Sequence, residues 1–527
     1  MAVDLIIIAV YFVTIVGIGL ASGRGEKSLE GYALGDRNVP WWAILASILA
    51  AEISAATFLG APGEGFATRN FTYAQLAIGT VLGRIAVSAI FLKSYYDFQV
   101  VSIYEYLERR FGPKTRDAAS LVFLVTRALA SGTRLYVAAI LLVIGYEMVA
   151  GAPASPDTQF LLYVSALVVV VVLTAIYTTV GGIKAVIWTD VIQASILLLS
   201  LVVTIWILLH RIPGGLNGAL AHLQQPGDLA FVSTGLEAGV GWWANIRNVL
   251  ESNYTIFAAF IASTFITMAT HGTDQDMVQR MLTGRNHKAG SLALIGSGLV
   301  DLPIVAAFLF IGILLWVFKQ THPELALPTQ NPHVFPWFIM NEMPPVVRGL
   351  VFAGVMATAM GSLSTALNAL ATSFCRDWYL GHFRRQADDA EMLRAARWAT
   401  AGFAVVLIVI GAATAWIVIH VEGSRILPIV LGIFGYTYGS LLGVFLAGAL
   451  TKNRGSDRGN LIAMIAGFIV VAVLSGLPND VLRILSLQPM RLPEWLPVIA
   501  FPWRIFFGSI TTLVVAVLFR TPARENS

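Results

Sequence analysis

The sequence predicts an all-α, polytopic membrane protein of about 13 transmembrane helices. Three observations carry this. Of 527 residues, 57% are hydrophobic and 12% charged, where a water-soluble domain carries roughly 25% charged residues. Apolar runs repeatedly reach the roughly 20 residues that a helix needs to cross a bilayer. No stretch shows the alternation over about ten residues that a membrane β-barrel strand requires. A soluble multidomain enzyme, a disordered chain and a fibrous protein are therefore excluded. The net charge of +4, from 34 Lys+Arg against 30 Asp+Glu, is too small and too scattered for a nucleic-acid partner. The single cysteine, Cys375, cannot make an internal disulfide, and no thiolate metal site is expected.

Residues 3–22 are the first apolar run. Asp4 near its start, and the lack of a basic n-region and a cleavage site, predict a retained helix and not a signal peptide. Further spans are expected near 41–67, 74–97, 119–148, 159–180, 186–209, 254–272, 290–318, 346–374, 396–420, 426–450, 459–475 and 500–519. Between them, SIYEYLERRF (102–111) predicts a short amphipathic helix on the cytoplasmic side. Residues 210–253 are rich in Gly, Leu and Trp and read as partly helical and external. HGTDQDMVQRMLTGRN (271–286) reads mostly as a charged cytoplasmic helix. With the N-terminus outside, 22 of the 34 Lys+Arg fall in inside segments, 9 outside and three (Arg84, Arg127, Arg134) within spans. Basic residues gather on the cytoplasmic side, so the N-terminus is expected outside and the C-terminus in the cytoplasm.

Polar groups inside apolar spans are the candidate machinery, because charge at membrane depth is costly unless paired or hydrated. In the second span, Glu52 lies among small residues, and Gly60-Ala61-Pro62-Gly63 follows. The pattern suggests a discontinuous helix whose freed carbonyls face an ion or solute. Close packing of small residues against a neighbour is the alternative. Thr178–Gly182 reads as a turn between two spans. Asp190 beyond it is either an acid stabilised by a helix N-terminus or a cation ligand. In the ninth span Ser362, Ser364, Thr365 and Asn368 line an apolar helix. Their hydroxyls can replace part of a cation's hydration shell, or bond back to carbonyls of their own helix. Arg127 is near enough to the inner end to snorkel. Arg134 is deeper and must either pair with an acid, Glu52 foremost, or bind an anionic ligand. Asp301, before Pro303, either binds solute or pairs with an arginine or threonine. His271 reads as a satisfied structural histidine. No nucleophile–base set and no HExxH motif suggest an enzyme.

Five stretches resemble the sodium/solute symporter family: SAATFLGAPGEGF (54–66), VVSIYEYLERRFGPKTR (100–116), GGIKAVIWTDVIQ (181–193), THGTDQDMVQRML (270–282) and SLSTALNALATSFCRDWY (362–379). The resemblance implies a LeuT-like fold in one integral membrane domain, 1–527. An extra helix at 3–22 would precede inverted five-helix repeats at 41–209 and 254–450, with two helices at 459–519 after them. It implies sodium as coupling ion and no cofactor. The main sodium position would use the carbonyls of Ala50, Ile53 and Thr358 and the hydroxyl of Ser362. Gly361 stands where a hydroxyl residue is usual, so one ligand is missing. A second sodium position would use Asp190, Ser364 and Thr365. The solute positions carried over are Glu52, Ser54, Thr57, Gln75, Arg134, Thr267 and Asp301. An arginine at Arg134 suits a carboxylate, because its planar fork binds two oxygens at once. The resemblance thus favours a small organic anion (a monocarboxylate, sugar acid or sialic acid) moved by alternating access across the plasma membrane. A neutral sugar and a non-transporting sensor are the alternatives. A sensor would need a long signalling extension, and only about eight residues follow the last expected span. Beyond solute, sodium and the lipid bilayer, no obligatory protein partner is expected.

Overall fold

The computed structural model describes residues 2–521 apart from 24, 385, 422–428, 431, 486, 491–492 and 494–495. The expected start of the span at 426–450 and the basic residues Arg24, Arg385, Arg425, Arg491 and Arg524 lie outside the described residues. Among those described, no strand forms, and the only bridge joins Arg454 to Arg520. The principal helices are α1 (Ala2–Ser22), α2 (Trp41–Glu52), α3 (Ala55–Thr68), α4 (Thr72–Asp97), α5 (Pro113–Ala150), α6 (Pro156–Arg211), α7 (258–272), α8 (Gln275–Leu282), α9 (His287–Thr321), α10 (Val347–Phe383), α11 (Asp389–His420), α12 (Ile433–Leu450), α13 (Asp457–Leu474) and α14 (Phe501–Leu518). Short helices at Tyr104–Arg110, Gly215–His222 and Trp242–Glu251 fall where partial helix was expected.

Among the described residues, ten helices are long and apolar enough to cross a membrane, or eleven with α2 and α3 taken as one broken span. The count of thirteen is not reached by length and composition alone, for two physical reasons. At 1.5 Å per residue the 56 residues of α6 extend about 84 Å, far more than one bilayer. The expected turn lies inside it, at Gly182, where φ 54 and ψ −146 interrupt the helix. The seventh expected span, in contrast, is the short α7.

Position in the bundle follows composition. The most apolar stretch of α10 is 89% buried inside the protein, against 17% for α1. Gly and Ala along α10 let neighbours approach closely: a Cβ on Gly354 would meet Ser200 Oγ of α6 at 2.4 Å. Facing glycines join α3 to α9 in the same way, with Gly65 against the Leu309 backbone and Gly312 against Pro62. Pro62 therefore sits inside α3 and does not break it. The break comes earlier, at Ile53–Ser54, where α2 and α3 meet at 66°.

The Gly182 turn depends on the absence of a side chain. An L-residue is strained at its φ, and a Cβ would meet Tyr32 O at 2.3 Å. Gly182→Ala is expected to cost at least about 1–3 kcal/mol, read as a lower melting temperature of the purified protein.

Candidate functional site

The helix break creates the first half of the site. A helix end leaves its last four carbonyls without intrahelical partners, so those of Leu49 to Glu52 need other donors. Leu49 O accepts Ile53 N at 3.1 Å. Ala51 O accepts Ser362 Oγ of α10, also at 3.1 Å. Ser54 caps α3, its Oγ accepting Thr57 N at 3.4 Å. The carbonyl of Ala50 faces Gly361 of α10, where a Cβ would lie 3.0 Å from it.

Ser362 thus reaches across to the broken helix. The other hydroxyls donate within α10: Thr358 to Val355 O, Ser364 to Gly361 O and Thr365 to Ser362 O. A hydroxyl that donates keeps its lone pairs, so back-bonding leaves each able to face a cation. Asp190 of α6 is fully buried. Its Oδ2 accepts Ser47 Oγ at 2.5 Å and lies 3.8 Å from Arg280 Nη2, while its Oδ1 has no partner. Ser364 and Asp190 both neighbour the Tyr177 hydroxyl, and Thr365 lies beside Asp276.

The second half is a cavity of about 740 Å³, lined by residues that include Glu52, Ser54, Thr57, Arg134 and His271. Its size is that of a small-molecule pocket. Gln75, Thr267 and Asp301 lie outside this lining. Thr267 packs against Gly83, Gln75 Oε1 accepts Ser233 N at 3.4 Å, and Asp301 is buried near Glu52 and Arg84. A smaller cavity of about 40 Å³ touches Arg134, Ala51 and Ser362 together. It brings the solute candidates next to the carbonyls and hydroxyl of the break.

Charge pairing differs from the sequence expectation at three points. Glu52 does not pair with Arg134. It pairs with fully buried Arg84 of α4, which also donates to Ser297 Oγ at 2.9 Å. Glu52 is the last residue of α2, where it meets α4. His271 Nε2 lies 3.9 Å from Glu52 and carries no hydrogen bond, so it is only half satisfied. Arg127 does not snorkel. It pairs with Asp274 and, at 3.0 Å, with Asp276, because α8 folds back into the protein and every residue of it is buried. Burial opposes ionisation of Asp276, but Arg127 and Arg280 beside it outweigh this and hold its carboxyl below the usual range. Arg134 stacks over Phe434, its guanidinium carbon 5.1 Å from the ring centre. Among the described residues no carboxylate lies within 4.0 Å of it. Sequence reasoning missed the role of Arg84 and the cavity-lining Glu64, Tyr73, Tyr254 and Arg504. Arg84 was visible as a charge inside a span; the others sit at span ends, where polar residues are ordinary.

Breaking the Arg84–Glu52 pair leaves a carboxylate whose side chain is only 24% exposed. Arg84→Met is expected to destabilise by about 3 kcal/mol, and Arg84→Met with Glu52→Gln by clearly less. Thermal unfolding of the four proteins of that cycle checks this.

Residues 32–467 match the Sodium:solute symporter family. The chain is 28% identical to the sodium/sialic acid symporter of Proteus mirabilis, over 88% of this chain and 87% of that one. It is 26% identical to the sodium/glucose cotransporter of Vibrio parahaemolyticus, over 90% and 86%. To sodium-coupled monocarboxylate transporter 1 of Homo sapiens it is 27% identical, over 89% and 72%. Its fold superposes on a solved Na+-coupled sialic acid symporter in a substrate-bound outward-open state with a TM-score of 0.79. That match has 23% identity and covers 98% and 97% of the two chains. The fold is thus LeuT-like, and the chain belongs to the sodium:solute symporter family.

Proposed function

We propose that this protein is a sodium-coupled symporter that carries a small organic anion, of the monocarboxylate or sugar-acid kind, by alternating access. One observation carries the choice of anion. Arg134 lines the large cavity without a carboxylate partner among the described residues, while Arg84 and Arg127 are both neutralised by acids of the chain. An uncompensated guanidinium in a cavity recruits an anion, and its fork holds a carboxylate through two hydrogen bonds. Glu52, Ser54 and Thr57, on the two sides of the break, would accept from or donate to hydroxyls of the same solute. The relatives' printed solutes, sialic acid and monocarboxylates, are of this class. Glucose is not, and a neutral sugar would leave Arg134 unmet.

Sodium would bind at the Ala50, Ile53 and Thr358 carbonyls with Ser362, and a second ion at Asp190, Ser364 and Thr365. Filling the first position ties α2 to α10 and so completes the neighbouring solute site. With one sodium per monovalent anion the cycle is electroneutral. Each tenfold sodium gradient then supplies about 1.4 kcal/mol. With two, one net charge moves, and the membrane potential adds about 2.3 kcal/mol per 100 mV. We assign the protein to the plasma membrane with its N-terminus outside and C-terminus in the cytoplasm, on the distribution of Lys and Arg. The helix order is consistent with repeats at 41–209 and 254–450, flanked by α1 and by α13 and α14.

Uptake into proteoliposomes, screening labelled acids and sugars with and without a sodium gradient, tests the coupling. Sodium-independent uptake of every transported solute would overturn it. Arg134→Ala is expected to raise the half-saturating concentration of the anion by at least about tenfold, the loss of a charge-assisted hydrogen bond; unchanged affinity removes the clamp. Asp190→Ala is expected to bring the sodium Hill coefficient close to about one. An unchanged coefficient above one would remove Asp190 from ion binding.

A further inference from the structure

Gln193 lies on α6 three residues beyond Asp190, and it is 1% exposed. Its Nε2 donates to Tyr11 Oη of α1 at 3.5 Å, and Tyr11 donates onward to Met360 Sδ of α10 at 3.6 Å. The N–H end of the amide faces the hydroxyls of Tyr11 and Tyr177, both able to accept, and this sets its orientation. The carbonyl end, Oε1, is left buried with no partner. It faces Gly361. A Cβ built there would lie 3.0 Å from Gln193 Oε1 and 3.0 Å from the Ala50 carbonyl oxygen. Ala50 is in the last turn of α2, where carbonyls lack intrahelical donors. Two acceptors from different helices therefore converge beside a residue with no side chain. A buried acceptor without a donor is costly, and two facing each other repel as well. A hard cation that takes oxygen ligands reverses both effects.

We propose that Gln193 Oε1 is a ligand of the coupling sodium. With the Ala50 carbonyl it occupies the place that a hydroxyl side chain at position 361 would fill. Tyr11, on the peripheral first helix, is its positioning residue. The assignment accounts for three features together: the bare Gly361, the unpartnered Oε1 and a buried tyrosine on a helix of which only a few residues are buried. It rests on the sodium-coupled reading above and adds a ligand to it.

The test is a sodium titration of solute uptake in proteoliposomes, with sodium-dependent tryptophan fluorescence of the purified, solute-free protein as an independent measure of ion binding. Gln193→Ala is expected to raise half-saturating sodium at least about tenfold, while the anion affinity at saturating sodium stays near wild type. Gln193→Glu keeps an oxygen in place and is expected to retain tight sodium binding. Tyr11→Phe frees the amide to turn and is expected to raise half-saturating sodium about threefold. Gly361→Ser placed in the Gln193→Ala background restores a hydroxyl and is expected to recover most of the loss, which a merely structural role would not produce. Sodium-independent uptake by the wild type would overturn the symport reading and this ligand with it. Sodium-dependent wild-type uptake, with Gln193→Ala within twofold of wild type, would overturn the ligand alone. Should Gln193→Ala fail to fold, Tyr11→Phe decides: unchanged half-saturating sodium in that variant overturns the proposal.

Discussion

A helix can break at membrane depth only where protein, and not lipid, surrounds the freed backbone groups. The break at Ile53–Ser54 meets that condition because α10 runs beside it and is almost wholly buried. Small residues on α10 bring its backbone close enough for Ser362 to donate to Ala51 O. The same closeness leaves the Ala50 carbonyl facing Gly361. Much of the site follows from this one constraint. The carbonyls that cannot be satisfied within α2 must be met by a hydroxyl, an ion or another helix, and all three sources converge on the same few residues.

Charges inside the bundle obey a parallel rule. Arg84 neutralises Glu52, while Asp274 and Asp276 neutralise Arg127. Arg280 spans Asp276 and Ser47 and approaches Asp190. These pairs connect α2, α4, α5, α6 and α8 through groups whose separation would be costly. Arg134 stands apart from them, resting on the face of Phe434 and open to the cavity. Among the described residues Arg504, which lines the same cavity and rests on Tyr436, likewise has no carboxylate partner. Because the small cavity at Arg134 also touches Ser362 and Ala51, an ion at the break and an anion at Arg134 would attract one another. That attraction is a direct electrostatic route to coupling.

How much was legible in the chain depended on the range of the interaction. Apolar runs report helices because burial in lipid is a local requirement, and the positions of α1, α5, α9, α10 and α11 follow from them. The discontinuity of the second span was also legible, and the resemblance pointed to freed carbonyls at Ala50 and Ile53. Glycine and proline at 60–63 do not break the helix, because Pro62 fits a groove against Gly312, and the chain bends where Ser54 can cap a new helix. The 274–280 stretch reads as a solvated charged helix because its acids and arginine are ordinary for a loop. Only when α8 is folded inward do Arg127, Tyr438 and Asp190 become its partners.

The sequence by itself determined that the chain lives in a bilayer, which residues sit in its spans, and the short list of charges that must be explained there. Those are consequences of composition and of the cost of moving polar groups out of water, and both are properties of single segments. Tertiary structure decided which charge meets which. Glu52 lies 32 residues from Arg84 and Gln193 lies 182 from Tyr11, distances along the chain at which no periodicity speaks. Whether Glu52 neutralised Arg134 could be decided only once the packing of α2 on α4 had brought Glu52 to Arg84.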